Sequence, residues 1–160
     1  MQVTIRPIEP ADDAALGILI RSVLAEFKAN KPGTVYFDES TNHLSELFED
    51  PKSAYWVITE NGKLIGGGGI FPTSGLDTGT CELVKLYLYP EARGRGLGKA
   101  LMEKCFEGAK NFGFDYVYLE SMPELNHAVS LYERMGFEHQ CAALGNSGHF
   151  GCDIWMVKKL

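Results

Sequence analysis

The chain has 160 residues, 45% of them hydrophobic and 22% charged, and a formal net charge of −6. That length predicts a single domain, residues 1–160, with enough chain to bury a sizeable core. The acidic balance argues against a general nucleic-acid binder. The opening Met-Gln-Val-Thr-Ile-Arg carries no apolar signal segment, and no run reaches membrane-spanning length, so no membrane partner is expected. Cys81, Cys105, Cys141 and Cys152 form no C-x-x-C pair and read as reduced thiols of a cytoplasmic protein. No His/Cys/Asp cluster has zinc spacing, so no metal is expected.

Val3 to Ile8 alternates apolar and polar residues and predicts a first strand. Pro10 opens a helix with Asp12 and Asp13 near its positive end. Leu16, Leu19, Ile20, Val23, Leu24 and Phe27 recur at helical spacing and give it one buried face. Asn30 to Thr34 breaks the pattern with Pro and Gly. A shorter helix is predicted around His43 to Glu49, capped by Ser40 or Thr41. Between the two helices, Val35-Tyr36-Phe37-Asp38-Glu39 reads as a loop with two rings tucked on the core.

Ala54 to Thr59 is an apolar, β-prone strand. Glu60-Asn61-Gly62-Lys63 is a tight hairpin, since Asn-Gly suits a type I′ turn. The return strand holds Gly66 to Gly69 before Ile70 and Phe71. Four glycines weaken a strand. They fit either a close overlay by other groups or a bulge, and the residues do not choose between these. After a loop from Pro72 to Thr80, a central strand starts at Cys81. Strict alternation puts Glu82, Val84, Leu86 and Leu88 on one face and Cys81, Leu83, Lys85 and Tyr87 on the other.

Leu97, Ala100, Leu101, Cys105, Ala109 and Phe112 form the inward face of the next helix, which ends at Gly113. Phe114 to Glu120 is a strand with Tyr116, Tyr118 and Glu120 on one face. Leu125, Ala128, Val129, Tyr132 and Met135 lie along one side of a last helix ended by Gly136. Strands over Phe137 to Ala143 and Phe150 to Val157 flank a polar loop, Leu144 to His149.

The functional signal lies between the central strand and the helix after it. Glu91-Ala92-Arg93-Gly94-Arg95-Gly96-Leu97-Gly98-Lys99 places three glycines within five positions, beside Arg93, Arg95 and Lys99. Such glycines let backbone N–H groups close around an anion, and the following helix adds its positive end. The stretch looks like a pyrophosphate cradle. It is not a P-loop, since Arg93 and Ala100 occupy the first Gly and the Ser/Thr positions. Neither register of Gly-x-Gly-x-x-Gly closes on a glycine.

What fits is Arg93-x-x-Gly96-x-Gly98, which resembles the coenzyme A loop of the GCN5-related N-acetyltransferase (GNAT) family. About thirty residues on, Ala128-Val129-Ser130-Leu131-Tyr132-Glu133-Arg134-Met135-Gly136-Phe137 resembles that family's second motif, with Leu-Tyr-x-x-x-Gly-Phe intact. The family's leading Asn falls at Leu125, and Asn126 stands one residue late, about 100° around the helix. The order β-α-α-β-β-β-α-β-α-β-β matches the family's architecture. The resemblance therefore implies an α/β (α+β) fold with a central mixed, mostly antiparallel sheet of about seven strands and helices on both faces. It also implies a bulge in the central strand, which would reverse the parity beyond it.

The resemblance implies acetyl-CoA as co-substrate and direct acetyl transfer to a primary amine in a ternary complex. It assigns the pyrophosphate to Arg93, Gly94, Arg95, Gly96, Leu97, Gly98 and Lys99, and the pantetheine arm to Leu86, Tyr87 and Leu88. Asn126 is a further coenzyme candidate, and a backbone N–H near Leu86 a donor to the thioester oxygen. Tyr132 is the implied acid for the departing thiolate, and Glu82 or Glu120 the base for the amine, with Glu82 favoured. The helix-loop-helix around Tyr36 and Phe37 is the implied acceptor wall. His149 is a candidate substrate contact, and Cys152 reads as an inert buried thiol. A small cationic amine is the expected acceptor. A protein N-terminus or lysine, or a non-catalytic acyl-CoA sensor, are the alternatives. Homodimers are common among such proteins, and the sequence does not read that state.

Overall fold

The computed structural model describes residues 2–160. The apolar segments pair into one sheet of seven strands: β1 (Val3–Pro7), β2 (Ala54–Glu60), β3 (Lys63–Phe71), β4 (Thr80–Leu88), β5 (Tyr116–Ser121), β6 (Glu138–Gln140) and β7 (Ile154–Lys159). Their order is β1-β2-β3-β4-β5-β7-β6. Neighbours are antiparallel except β4 and β5, which run parallel. The sheet is therefore mixed and mostly antiparallel, as expected. Asn61 (φ 51°) and Gly62 (φ 84°) make the β2–β3 turn with left-handed backbone.

Four α-helices pack on the sheet: α1 (Asp13–Glu26), α2 (Leu44–Leu47), α3 (Leu97–Asn111) and α4 (Asn126–Arg134). On one face Leu16, Leu19, Ile20 and Leu24 of α1 and Leu44 of α2 bury against Tyr55 and Val57. On the other, Leu101, Met102, Cys105 and Phe106 of α3 and Tyr132 of α4 bury against Trp56, Leu83 and Leu119. Because β2 contributes alternately to both faces, its residues 54–58 are all apolar or aromatic. Among the described residues, no helix is long and apolar enough to cross a membrane.

Two expected boundaries move. The short helix α2 is capped by His43, not by Ser40 or Thr41. Those two residues lie in a preceding 3₁₀ turn, where the Thr41 hydroxyl donates to the Val35 carbonyl at 2.8 Å. The last two strands are shorter than predicted, and residues 141–153 between them stay out of the sheet. Their backbone groups find partners on other loops: Asn146 N donates to Ser74 O (2.7 Å) and Gly151 N to Gly33 O (2.9 Å).

The centre of the sheet is where strict alternation fails. Gly67 pairs with Tyr87 but Gly69 with Val84, so Lys85 and Leu86 together oppose Gly68. This is a β-bulge, and Lys85 takes the left-handed conformation it needs (φ 54°). Leu86 and Leu88 consequently pack beside Leu83 on the α3 face, while Tyr87 joins Val84 on the α1 face. The four glycines serve the same device. A Cβ on Gly67 would lie 2.7 Å from the Tyr55 hydroxyl, and one on Gly68 would lie 2.4 Å from Leu86 Cδ1. That hydroxyl donates to the Lys85 carbonyl at 2.7 Å and fixes the bulge from behind.

Beyond the bulge β4 and β5 part. Their ladder holds only Thr80–Glu82 against Tyr116–Tyr118, yet β4 continues to Leu88 and β5 to Ser121. The gap between them opens the middle of the sheet.

Candidate active site

Two cavities meet at this gap. The larger, of about 860 Å³, is a groove from the Gly/Arg loop along β4 to α4. Leu86, Tyr87 and Leu88 form one wall, and Ala128, Leu131 and Tyr132 of α4 form another. Gly94, Gly96, Leu97, Gly98 and Lys99 close its end. Gly94 (φ 71°) and Gly96 (φ 75°) are left-handed, and Gly96 caps α3. The first backbone N–H groups of α3 lack intrahelical partners and lie at this end, where the helix dipole also favours an anion.

The cations of the loop divide. Lys99 borders the groove and is exposed, 4.0 Å from Glu103. Arg93 also borders it, but its guanidinium is engaged. It pairs with Glu26 at 2.7 Å, donates to the Leu88 carbonyl at 2.9 Å and lies over the Phe27 ring. Arg93 thus ties the loop to β4 and α1. Arg95 lies outside the groove, bonded to Glu60 of β2. Asn126 is exposed at the start of α4 and does not line the groove either. The one-residue offset turns its side chain away, and Leu125 takes the inward place.

Tyr132 is buried against Phe137, with ring centroids 5.9 Å apart. Burial pushes its hydroxyl above the ordinary tyrosine range, so it stays protonated. Every fully buried side-chain oxygen or nitrogen among the described residues has a partner. The Tyr132 hydroxyl has no hydrogen-bond partner among the described residues and opens to the groove.

The smaller cavity, of about 50 Å³, lies on the α1 side of β4. It shares Leu83, Lys85, Tyr87, Glu120, Ser121 and Leu125 with the groove. Glu82, Thr34, Val35, Val84, Met122, His149 and Cys152 complete it. Two loops roof it, one between α1 and α2 and one between β6 and β7. His149 Nε2 and Asp38 Oδ2 join them at 2.6 Å. Phe150 also lies over Gly33, leaving no room for a Cβ there.

Carboxylates dominate this cavity. Glu82 is 4% exposed and accepts from the Thr73 hydroxyl at 2.6 Å. Burial raises its pKa to about 7, and nearby Glu120 adds to the effect. Glu120 accepts from Ser147 (2.5 Å) and Tyr118 (2.7 Å), and His149 Nδ1 stands 4.0 Å away. The structure therefore brings both predicted base candidates to the same cavity. Burial pushes the Cys152 thiol up to about 12, so it is a thiol, not a thiolate.

Among the residues of this constellation that sequence reasoning missed are Lys85, Tyr55 and Ser147. A lysine in the apolar run Glu82 to Leu88 was the available signal for the first. Nothing local marks the other two, whose partners lie 30 and 27 residues away.

A family model described as the acetyltransferase (GNAT) family matches residues 20–137. An uncharacterised N-acetyltransferase of Escherichia coli, YjgM, is 41% identical over 151 residues, covering 93% of this chain and 90% of its own. The chain belongs to the GNAT acetyltransferase family. It is an acetyl-CoA-dependent N-acetyltransferase. Solved GNAT structures share the fold. A family member from Staphylococcus aureus superposes with a TM-score of 0.88 at 17% identity, covering 99% of both chains. The PaiA N-acetyltransferase of Thermoplasma acidophilum, solved in complex with coenzyme A, gives 0.78 at 20% identity over 100% of both chains.

Proposed function

We propose that the protein transfers acetyl from acetyl-CoA directly to a primary amine of a small molecule, both substrates being bound at once. The observation that carries this reading is the meeting of the two cavities at the β4–β5 gap. A donor in the groove and an amine in the cavity reach one another there without an intermediate carrier. The one cysteine lining the cavity, Cys152, is protonated and unsuited to carry an acyl group.

The pyrophosphate lies against the amides of Gly94 to Lys99 at the start of α3, with Lys99 supplying charge. The pantetheine arm runs along Leu86, Tyr87 and Leu88, whose backbone is free of β5. A backbone N–H near Leu86 meets the thioester oxygen as it becomes an oxyanion. Glu82 removes the amine's proton, since a carboxylate titrating near neutrality is suited to the task. Glu120, held in place by the Ser147 and Tyr118 hydroxyls, orients the ammonium. The nitrogen attacks the thioester carbonyl, the C–S bond breaks, and Tyr132 protonates the departing thiolate. The small cavity suits a small acceptor rather than a folded chain.

Calorimetric titration with acetyl-CoA, with NAD and ATP as controls, followed by thiol release against a panel of amines, tests the reading. Selective acetyl-CoA binding with amine-dependent release of coenzyme A is expected, and Tyr132→Phe lowers kcat without weakening acetyl-CoA. Binding without release for any amine would leave a sensor module. No binding by folded protein would sink the coenzyme assignment.

A further inference from the structure

One charged group in the site has no task in the proposed reaction: the ammonium of Lys85. Its side chain is 6% exposed, and its ion-pair partner among the described residues is Asp38, at a long 3.6 Å. The same Asp38 oxygen also holds His149. An ammonium has three donors, and one shared oxygen does not occupy them. Burying such a charge is costly unless it is paired and hydrogen-bonded. Spare donors on a buried ammonium beside a cavity mark a place for an anionic ligand group.

The position of this lysine is fixed by the backbone. It is the bulge residue, left-handed at φ 54°, with its carbonyl held by Tyr55. It borders both the cavity and the groove. Glu82 and Glu120 border the same cavity, so a volume of about 50 Å³ is lined by acidic and basic side chains together. A ligand bearing only an ammonium would meet Lys85 as a like charge in the same small cavity, which opposes binding. A ligand bearing an ammonium and a carboxylate satisfies both ends.

We propose that the acceptor is a zwitterion of amino-acid type, its amine facing Glu82 and Glu120 and its carboxylate hydrogen-bonded by Lys85. This rests on the amine-acetylation reading above and names its substrate class. Lys85 is then the residue that sets acceptor specificity. Burial lowers the Lys85 pKa and the Asp38 carboxylate opposes that fall and aims the ammonium before the acceptor arrives, while His149 holds Asp38 in place across the two roofing loops.

Matched pairs test this. Thiol release from acetyl-CoA is measured with free amino acids and with the corresponding amino-acid amides, each at several pH values to account for amine ionisation. The amide keeps the side chain and the amine and removes the negative charge. The free acid is expected to exceed its amide in kcat/KM by about tenfold or more. Lys85→Met reduces that ratio to within about twofold while leaving acetyl-CoA binding intact, and Lys85→Arg restores part of it. Should Lys85→Met not fold, the wild-type comparison decides alone. Preference for the amides, or an equal acid preference in wild type and Lys85→Met, overturns the proposal. Acetylation of plain amines and amides alone leaves the amine-acetylation reading standing and removes only the zwitterion. No acetylation of any amine by protein that binds acetyl-CoA removes both.

Discussion

The donor groove and the acceptor cavity share a wall but are built in different ways. The groove's loop, strand and helix cap come from one run, Leu86 to Lys99, with α4 closing the side. The cavity draws on Asp38, Thr73, Glu82, Lys85, Glu120, Ser147 and His149, scattered across five segments. The groove rests on backbone geometry that a short sequence encodes. The cavity rests on side-chain pairings that exist only once the chain is folded. A change in the first is felt by the coenzyme, and a change in the second by the acceptor.

The sharpest way to break this division is Gly96→Asp. It puts a negative charge where the pyrophosphate lies and a side chain on a residue with φ 75°. Acetyl-CoA affinity falls by about a hundredfold or more by calorimetry, while the cavity pairings remain. Equal loss of acetyl-CoA affinity from Asp38→Asn would show that the halves are not separate.

Glu82→Gln and Glu120→Gln sharpen the acceptor side. With a base titrating near pH 7, kcat/KM rises through neutrality and levels off above it. Glu82→Gln removes that limb and Glu120→Gln retains it. The opposite outcome would transfer the base role to Glu120. Stability follows the same group. Its folded pKa lies above its ordinary 4.5, so the folded state holds the proton more tightly and loses stability as pH rises from about 4.5 through 7. Glu82→Gln therefore raises Tm at pH 8 more than at pH 5, by about 1–3 kcal/mol in stability at the higher pH.

Tyr55→Phe acts on the shared wall. It leaves the Lys85 carbonyl without its buried donor and costs about 1–2 kcal/mol in denaturant unfolding. It also loosens the bulge, so acetyl-CoA affinity and acceptor KM both worsen, unlike any change confined to one half. The smallest effect belongs to Arg95→Ala. Its partner is Glu60, outside the groove, and acetyl-CoA affinity stays within about twofold. Lys99→Ala, at the groove's mouth, weakens it more.

The contrast explains what the sequence made legible. The turn from the Gly/Arg loop into α3, the Leu-Tyr-x-x-x-Gly-Phe helix, the Asn-Gly hairpin and the face of α1 are local patterns, and the structure has each element where the sequence put it. Spacing does not say which way a loop arginine turns, and the Arg95 side chain turns from the groove to Glu60, 35 residues back. Alternation along β4 was wrong beyond Val84, since one inserted residue reverses every later side chain. Lys85 consequently looked like an ordinary strand residue. The terminal strands were overextended because the 141–153 segment satisfies its backbone on other loops.

The bulge at Lys85 and the glycines beside it form a lock with two parts. One strand carries an extra residue, and its neighbour lacks the side chains that would collide with Tyr55 and Leu86. Deleting the extra residue would return Leu86 and Leu88 to the wrong side, and adding a methyl at Gly67 or Gly68 would push out its overlay. Neither change is tolerable without the other, so their effects on stability are strongly non-additive. A core locked in this way changes by paired substitutions, whereas a change at Asp38 or His149 in the roofing loops falls on the acceptor cavity and not on the coenzyme groove.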